Sequence, residues 1–348
     1  MKKIKTALCV LLAGAALLPL VACGRPVKAT IHVYNWGQYI DKSVNSQFFK
    51  QTGIKVVYNT YETNEELYAK LKSGGADYDV IVPSDYMISR MSGEGMLEKL
   101  DYDKIPNYSD INTKYKGLAY DPQNEYSVPY MWGVVGIVYN TKKVTGPVDS
   151  WNILWDEKYK GQILMFNNSR DAMGIALKKL GYSYNTTDMT QLNAAAAELE
   201  RQKPLVQAYV MDQIYDKMEG GEAALAPYYA GDAIVMMQEA KDLAFAIPKE
   251  GTNLYFDAFA IPKGSKHVAE AEAYINFMCS TDVGLKNADA TGYSTPLVST
   301  YQKLPASTRN NKLQYPDDTV MSKAEVYTNL PQNVLDAYDT LWTKIVSK

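Results

Sequence analysis

Residues 30–85 read TIHVYNWGQYIDKSVNSQFFKQTGIKVVYNTYETNEELYAKLKSGGADYDVIVPSD, and this stretch decides the fold class. The spacing predicts a strand at Ile31-His32-Val33-Tyr34 and a short helix from Ser43 to Lys50, ended by Thr52-Gly53. Ile54-Lys55-Val56-Val57-Tyr58 is the next strand. Thr63 caps a helix that carries Glu65, Glu66, Leu67 and Leu71. Tyr78-Asp79-Val80-Ile81-Val82 is a third strand, with Pro83-Ser84-Asp85 opening another helix. This strand–helix alternation argues for an α/β protein whose parallel sheet carries helices on both faces.

A second α/β unit follows the extended run Tyr126 to Tyr139. Its strand Gln162 to Phe166 leads into a helix from Ser169 to Leu180, with further helices near Met189–Gln202 and Gln213–Glu219. A strand near Ala223–Tyr228, a helix near Asp232–Lys241 and a strand at Leu243–Ile247 come next. The chain runs extended again near Tyr255–Ile261, before helices at His267–Met278 and Asp282–Asn287. Two extended crossings, around 130–138 and 248–258, predict two lobes joined by two hinge strands. The expected division is 30–135 plus 256–305 for lobe 1 and 136–255 plus 306–348 for lobe 2.

Ahead of the first strand, Lys2, Lys3 and Lys5 precede an apolar run from Thr6 to Leu18, and Leu20-Val21-Ala22-Cys23 closes the segment. This reads as a signal peptide over 1–22 with a lipobox, making Cys23 the lipidated first residue of a tether over 23–29. The alternative is an ordinary secretory signal that ends beside a cysteine. Signal removal leaves 33 basic against 39 acidic residues, a net charge of −6. That balance makes nucleic acid a poor partner and is compatible with a cationic ligand. Cys9 leaves with the signal and Cys23 takes lipid, so Cys279 stays unpaired. With only His32 and His267, neither a histidine-rich metal site nor a Ser-His-Asp triad is expected, and no cofactor is. Tyrosine is abundant, 28 against 7 Phe, so aromatic walls here will usually carry a hydroxyl tip.

Ligands of open α/β sheets bind at the carboxyl ends of strands. This chain places there Asn35-Trp36-Gly37-Gln38-Tyr39, Ser84-Asp85-Tyr86, Asn167-Asn168-Ser169-Arg170-Asp171, Tyr228-Tyr229-Ala230-Gly231-Asp232 and Tyr255-Phe256-Asp257. Aromatics and carboxylates together suit an organic ammonium: ring faces hold its methylenes and charge, and carboxylates accept its N–H groups. Each element also has a plainer account. Trp36 suits core packing, Asn168 and Asp171 have capping-box spacing, Asp85 and Asp232 fit helix starts, and Tyr228-Tyr229 fits a strand end.

Six ordered blocks resemble the spermidine/putrescine-binding proteins of polyamine ABC importers. They are Tyr34-Asn35-Trp36-x-x-Tyr39-Ile40; Gln51-Thr52-Gly53-Ile54-Lys55-Val56; Tyr78-Asp79-Val80 with Val82-Pro83-Ser84-x-Tyr86; Tyr126-Ser127-Val128-Pro129-Tyr130-x-Trp132-Gly133; Lys179-Leu180-Gly181-Tyr182-Ser183; and Gly292-Tyr293-Ser294-Thr295-Pro296. The similarity runs from Thr30 to about Tyr315-Pro316-Asp317. It implies a two-lobed periplasmic-binding-protein-like fold, each lobe a mixed sheet flanked by helices, closing on its ligand by hinge bending. The family's aromatic wall falls on Trp36, Tyr39, Tyr86, Tyr229, Tyr255 and Tyr293, with Ser84 beside them, and its amine-binding acids on Asp171 and Asp257. Gly37, Gln38, Asp85, Asn168 and Tyr327 complete the expected ligand site. Several of these depart from the family pattern. Tyr229 and Tyr255 stand where Trp is usual, Gln38 and Asn168 where acids are usual, and Tyr327 where an amide is usual.

The resemblance implies a monomeric lipoprotein that is no enzyme, anchored to a bacterial membrane and facing the periplasm or cell exterior. Its partners are a polyamine and an ABC importer permease. With Asp171 and Asp257 as the carboxylates, a diamine fits better than a triamine, unless Asp85 or Asp232 joins them. Two rivals remain at this point. A ferric-ion-binding lipoprotein would use the Tyr228-Tyr229 pair with a histidine, but His32 is placed mid-strand. An enzyme on the same fold would need a nucleophile, and Cys279 reads as a core residue.

Overall fold

The computed structural model describes residues 26–74 and 77–347, so the expected signal and Cys23 lie outside the described residues. The first sheet is built in chain order by β1 (Ala29–Trp36), α1 (Val44–Thr52), β2 (Ile54–Tyr61), α2 (Asn64–Lys72), β3 (Val80–Ile81) and α3 (Asp85–Gly93). Its strands are parallel in the order β2-β1-β3, as the alternation predicts. Gly53 ends α1 in the left-handed region, and the Thr63 hydroxyl accepts the Glu66 N–H at 3.1 Å to start α2. The third strand is shorter than the expected Tyr78–Val82. The Val82 carbonyl is taken by Trp36 Nε1 (2.9 Å) and the Tyr61 hydroxyl (2.7 Å), and Pro83 offers no donor to continue a ladder.

The second sheet holds β4 (Val128–Asn140), β5 (Ile163–Phe166), β6 (Val206–Val210), β7 (Leu225–Tyr229) and β8 (Leu243–Ala246), with β9 (Leu254–Phe259) paired to β4. Its order is β6-β5-β7-β4-β8, β5 running parallel to β6 and β7 and β4 antiparallel to β7, β8 and β9. Helices α4 (Ser169–Lys179), α5 (Met189–Gln202), α6 (Ile214–Glu219) and α7 (Ala230–Glu239) belong to this unit. After β9 come α8 (Val268–Met278) and α9 (Thr281–Thr291), three short helices and a C-terminal helix over Gln332–Ser347. Neither β6 nor the C-terminal helix is anticipated by the sequence pattern. β6 is only five residues long and half exposed, so it carries no apolar run.

β4 and β9 connect the two sheets. The far half of β4, Val135–Asn140, pairs with β7 and β8, while Val128–Val134 pairs with β9. β9 and the residue after it in turn meet the end of β3 and the start of α3 through antiparallel bridges Ile81↔Ala260 and Ser84↔Asp257. Nearly every residue of β4 is buried, so its continuous apolar run packs on both faces. Among the described residues no helix is long and apolar enough to cross a membrane.

The approach to β9 turns at Gly251, with φ of 111°, and its carbonyl accepts Trp151 Nε1 at 3.0 Å. A Cβ there would lie 2.4 Å from the Lys323 carbonyl oxygen. Gly251→Ala is therefore expected to destabilise the protein by about 1–3 kcal/mol, read as a lower urea midpoint at unchanged m-value. A loss below about 0.5 kcal/mol, the size of an ordinary surface change, would show that the turn relaxes freely.

Candidate functional site

Helices α3, α4 and α7 start at the carboxyl ends of β3, β5 and β7, and β9 runs between them. Together they line a cleft with about 670 Å³ of space not filled by protein atoms, part of it open to solvent. Three buried carboxylates line it, and each accepts two hydroxyl hydrogen bonds. Asp257, on β9, accepts from the Tyr39 hydroxyl (2.6 Å) and Ser84 Oγ (2.6 Å). Asp171, in the first turn of α4, accepts from Tyr229 (2.7 Å) and Tyr327 (3.1 Å). Asp232, in the first turn of α7, accepts from Tyr215 (2.6 Å) and Tyr293. No lysine, arginine or histidine forms an ion pair with any of the three among the described residues.

Burial pushes the Asp257 and Asp171 carboxyls up to about 6 and Asp232 to about 7, and their hydroxyl donors only partly offset it. Neighbouring acids raise them further, Asp171 acting on Asp257 and Asp212 on Asp232.

The walls are aromatic. Tyr39 meets Tyr293 edge-on at 4.6 Å between ring centroids, Tyr229 meets Tyr255 at 5.3 Å, and Tyr86 meets Tyr327 at 5.9 Å. Trp36 lies against Tyr61 at 4.5 Å and is only half-buried, so part of its ring is free to line the cavity. Gly231 allows the Tyr293 ring to rest on the start of α7, since a Cβ there would sit 2.1 Å from the ring. Tyr255 has a buried hydroxyl with no partner.

Of the site residues expected from the sequence, Trp36, Gly37, Gln38, Tyr39, Ser84, Tyr86, Asn168, Asp171, Tyr229, Tyr255, Asp257, Tyr293 and Tyr327 all line this cavity. Asp85 does not. Its carboxylate turns to backbone, accepting the Tyr86 N–H (2.6 Å) and the Phe256 N–H (3.0 Å), and burial raises it to about 8. Its place at the start of α3 puts those donors within reach, so it anchors β9 instead of lining the cavity. Asn168 does cap α4, its Oδ1 accepting the Arg170 and Asp171 N–H groups, but the Asp171 carboxylate serves the cavity and not a capping box. Glu62, Asn64, Met211, Asp212 and Asn253 also line the space and are not among the residues expected from the sequence. The strand-end rule would have found four of them: Glu62 and Asn64 follow β2, and Met211 and Asp212 follow the unread β6.

His32 is half-buried within β1, and neither it nor His267 lines the cavity. Cys279 is buried, its thiol pushed up to about 12 by burial. Among the described residues no group of three or more His, Cys, Asp or Glu is arranged to hold a metal ion.

Residues 77–323 match the family described as Bacterial extracellular solute-binding protein. The chain belongs to that family. Residues 1–116 of this solute-binding protein also match a family described as Hypothetical lipoprotein (MG045 family). It is 38% identical over 318 residues to the spermidine/putrescine-binding periplasmic protein of Salmonella typhimurium (strain LT2), covering 90% of this chain and 91% of that one. Two solved structures are similar. One is the spermidine/putrescine ABC transporter substrate-binding protein of Streptococcus pneumoniae, with a TM-score of 0.77, 37% identity, and 92% and 99% coverage of this chain and that one. The other is the Tp0655 lipoprotein of Treponema pallidum, with a TM-score of 0.80, 29% identity, and 91% and 99% coverage. The two-lobed α/β fold and the extracytoplasmic placement go with this membership.

The raised carboxyls give the empty solute-binding protein a definite pH response. Between their ordinary range near 4 and their folded values of about 6 to 8, the folded chain binds more protons than the unfolded one. Stability therefore falls as pH rises through that window. Thermal melts of ligand-free protein should show a higher Tm at pH 5.5 than at pH 8, and the reverse order would contradict the burial of these acids.

Proposed function

We propose that this protein captures a polyamine, putrescine and/or spermidine, in the cavity and delivers it to the permease of an ABC importer. The observation that carries this reading is the set of three buried carboxylates facing a tyrosine-walled space, with no cation among the described residues bonded to them. Unpaired buried carboxylates are costly, and an organic diammonium ion offsets that cost while its methylenes lie along ring faces. The names carried by the relatives support the same ligand class. The hydroxyls at Asp171, Asp232 and Asp257 keep the acids oriented before a ligand enters.

The lobes divide at 30–135 with 256–305 and 136–255 with 306–348, and β4 and β9 act as hinges between them. The Tyr293–Asp232 bond and the Tyr86–Tyr327 contact both cross that division, which supports closure around the ligand. Lipid on Cys23 tethers a monomer to the membrane. The lipobox at Leu20-Val21-Ala22-Cys23, the lipoprotein-family match and the lipoprotein among the similar structures support this. Neither rival gains support. Tyr229 donates to Asp171 and no histidine lines the cavity, which leaves a ferric ion short of ligands. Cys279 is held as a thiol within the core, which makes it a poor nucleophile.

Calorimetry with putrescine, cadaverine, spermidine and spermine tests the ligand class, and saturable binding of none of them would sink it. Asp257→Asn removes a buried charge whose counterpart is the ligand's ammonium, a change of roughly 3–5 kcal/mol. Affinity should fall by about two to nearly four orders of magnitude, what that energy implies, while the Tm of the ligand-free protein should not fall, since a buried charge is removed. Binding within about tenfold of the parent would place Asp257 outside the recognition set.

Closure has its own readout. Small-angle scattering should give a smaller radius of gyration with saturating polyamine than without it. An identical profile in both conditions would argue against hinge bending.

A further inference from the structure

Among the described residues, Arg170 is the only cation lining the cavity. It is 3% exposed, and no carboxylate among the described residues forms an ion pair with it. Nη2 donates to Asn185 Oδ1 (3.1 Å) and to the Thr328 carbonyl (3.0 Å), while Nε and Nη1 are buried without a partner. The guanidinium carbon lies 4.7 Å from the centroid of the Tyr327 ring, 5.3 Å from that of Tyr86 and 5.5 Å from that of Tyr338. Two of those rings, Tyr86 and Tyr327, are cavity walls, so a built-in cation already occupies part of the surface that would attract an ammonium ion.

Charge balance gives this a consequence. Asp171, Asp232 and Asp257 bring three buried negative charges to the cavity, and Arg170 cancels one. Asp85 is buried outside the lining, and Glu65 is half-buried, accepting the Tyr86 hydroxyl at 2.9 Å. Glu62 and Asp212 stand exposed at the rim, where water and salt screen them. The buried net charge is thus −2. A buried site is stable when its filled state is near neutral, since each uncompensated charge is heavily penalised. We infer that Arg170 is a specificity-determining residue, an internal cation that sets the charge of the preferred ligand at two and so favours a diamine over a triamine. Arg170 reaches this position because Asn168 caps α4 through the Arg170 and Asp171 N–H groups, holding guanidinium and carboxylate on adjacent residues of one rigid turn. Asn168 itself, neutral and lining the cavity, leaves the count at −2. This assignment rests on the polyamine reading above.

The test is calorimetry at pH 7.5 with putrescine and with spermidine, on the parent and three variants. Arg170→Gln and Asn168→Asp each take the buried charge to −3 by different routes. Each should move the ratio of the two Kd values toward spermidine by about tenfold or more. Arg170→Lys, which keeps the charge, should hold the ratio within about threefold of the parent. Ratios unmoved in both Arg170→Gln and Asn168→Asp overturn the inference. Should Arg170→Gln melt out, Asn168→Asp decides the charge balance, because aspartate caps a helix as well as asparagine does. A parent that binds neither amine removes the polyamine reading itself, whereas a parent that binds with unmoved variant ratios removes only the role of Arg170.

Discussion

Two hydroxyl donors on each buried carboxylate are the arrangement on which this cavity depends. An ionised carboxylate taken out of water without donors or a cation would not persist. Tyr39 and Ser84, Tyr229 and Tyr327, and Tyr215 and Tyr293 supply the donors, so five of the six are tyrosines. This gives a physical reason for tyrosine in place of phenylalanine at these five positions. A phenylalanine wall would offer the same ring faces but leave the acids bare. The donors come from distant segments, so the site ties β9 to the residues after β1 and the start of α3, α4 to the end of β7 and the stretch before the C-terminal helix, and α7 to α6 and the residues after α9.

Helix starts are where local and functional demands compete. Ser84 stands at the N-cap of α3, yet its hydroxyl is committed to Asp257 and makes no cap bond. Asp85 recovers part of that lost satisfaction by accepting the Tyr86 N–H. At α4 the division is different: Asn168 caps, which frees the Asp171 carboxylate for the cavity. At α7, Asp232 sits in the first turn with no capping side chain at Tyr229. In each case a carboxylate lies near the positive end of a helix, which favours its charged form before any ligand arrives.

Much of this was legible in the sequence, because strand–helix alternation is a local signal. The first sheet, the crossings and the aromatic-plus-acid composition of the strand ends all follow from it. What stayed hidden was long-range. The shortness of β3 depends on Trp36 and Tyr61 claiming the Val82 carbonyl, which no local pattern announces. Asp85 and Asp232 look alike in sequence, each in the first turn of a helix after a strand. Only tertiary contacts send one to the Phe256 N–H and the other to the cavity. Arg170 appears in the sequence as part of a polar strand end, and its charge acquires meaning only once the neighbouring acids are counted.

The pairing of β4 with β9 also orders how the molecule is made. β1, β2 and β3 are contiguous and can associate early, but Ile81 and Ser84 find their bridging partners only at Ala260 and Asp257. Closing so long a loop costs more entropy and is slower than local strand pairing. Until then Tyr39 and Ser84 have no acid to hold, and the floor of the cavity is missing. The recognition chemistry is therefore a late product of folding, assembled after both halves have taken shape around it.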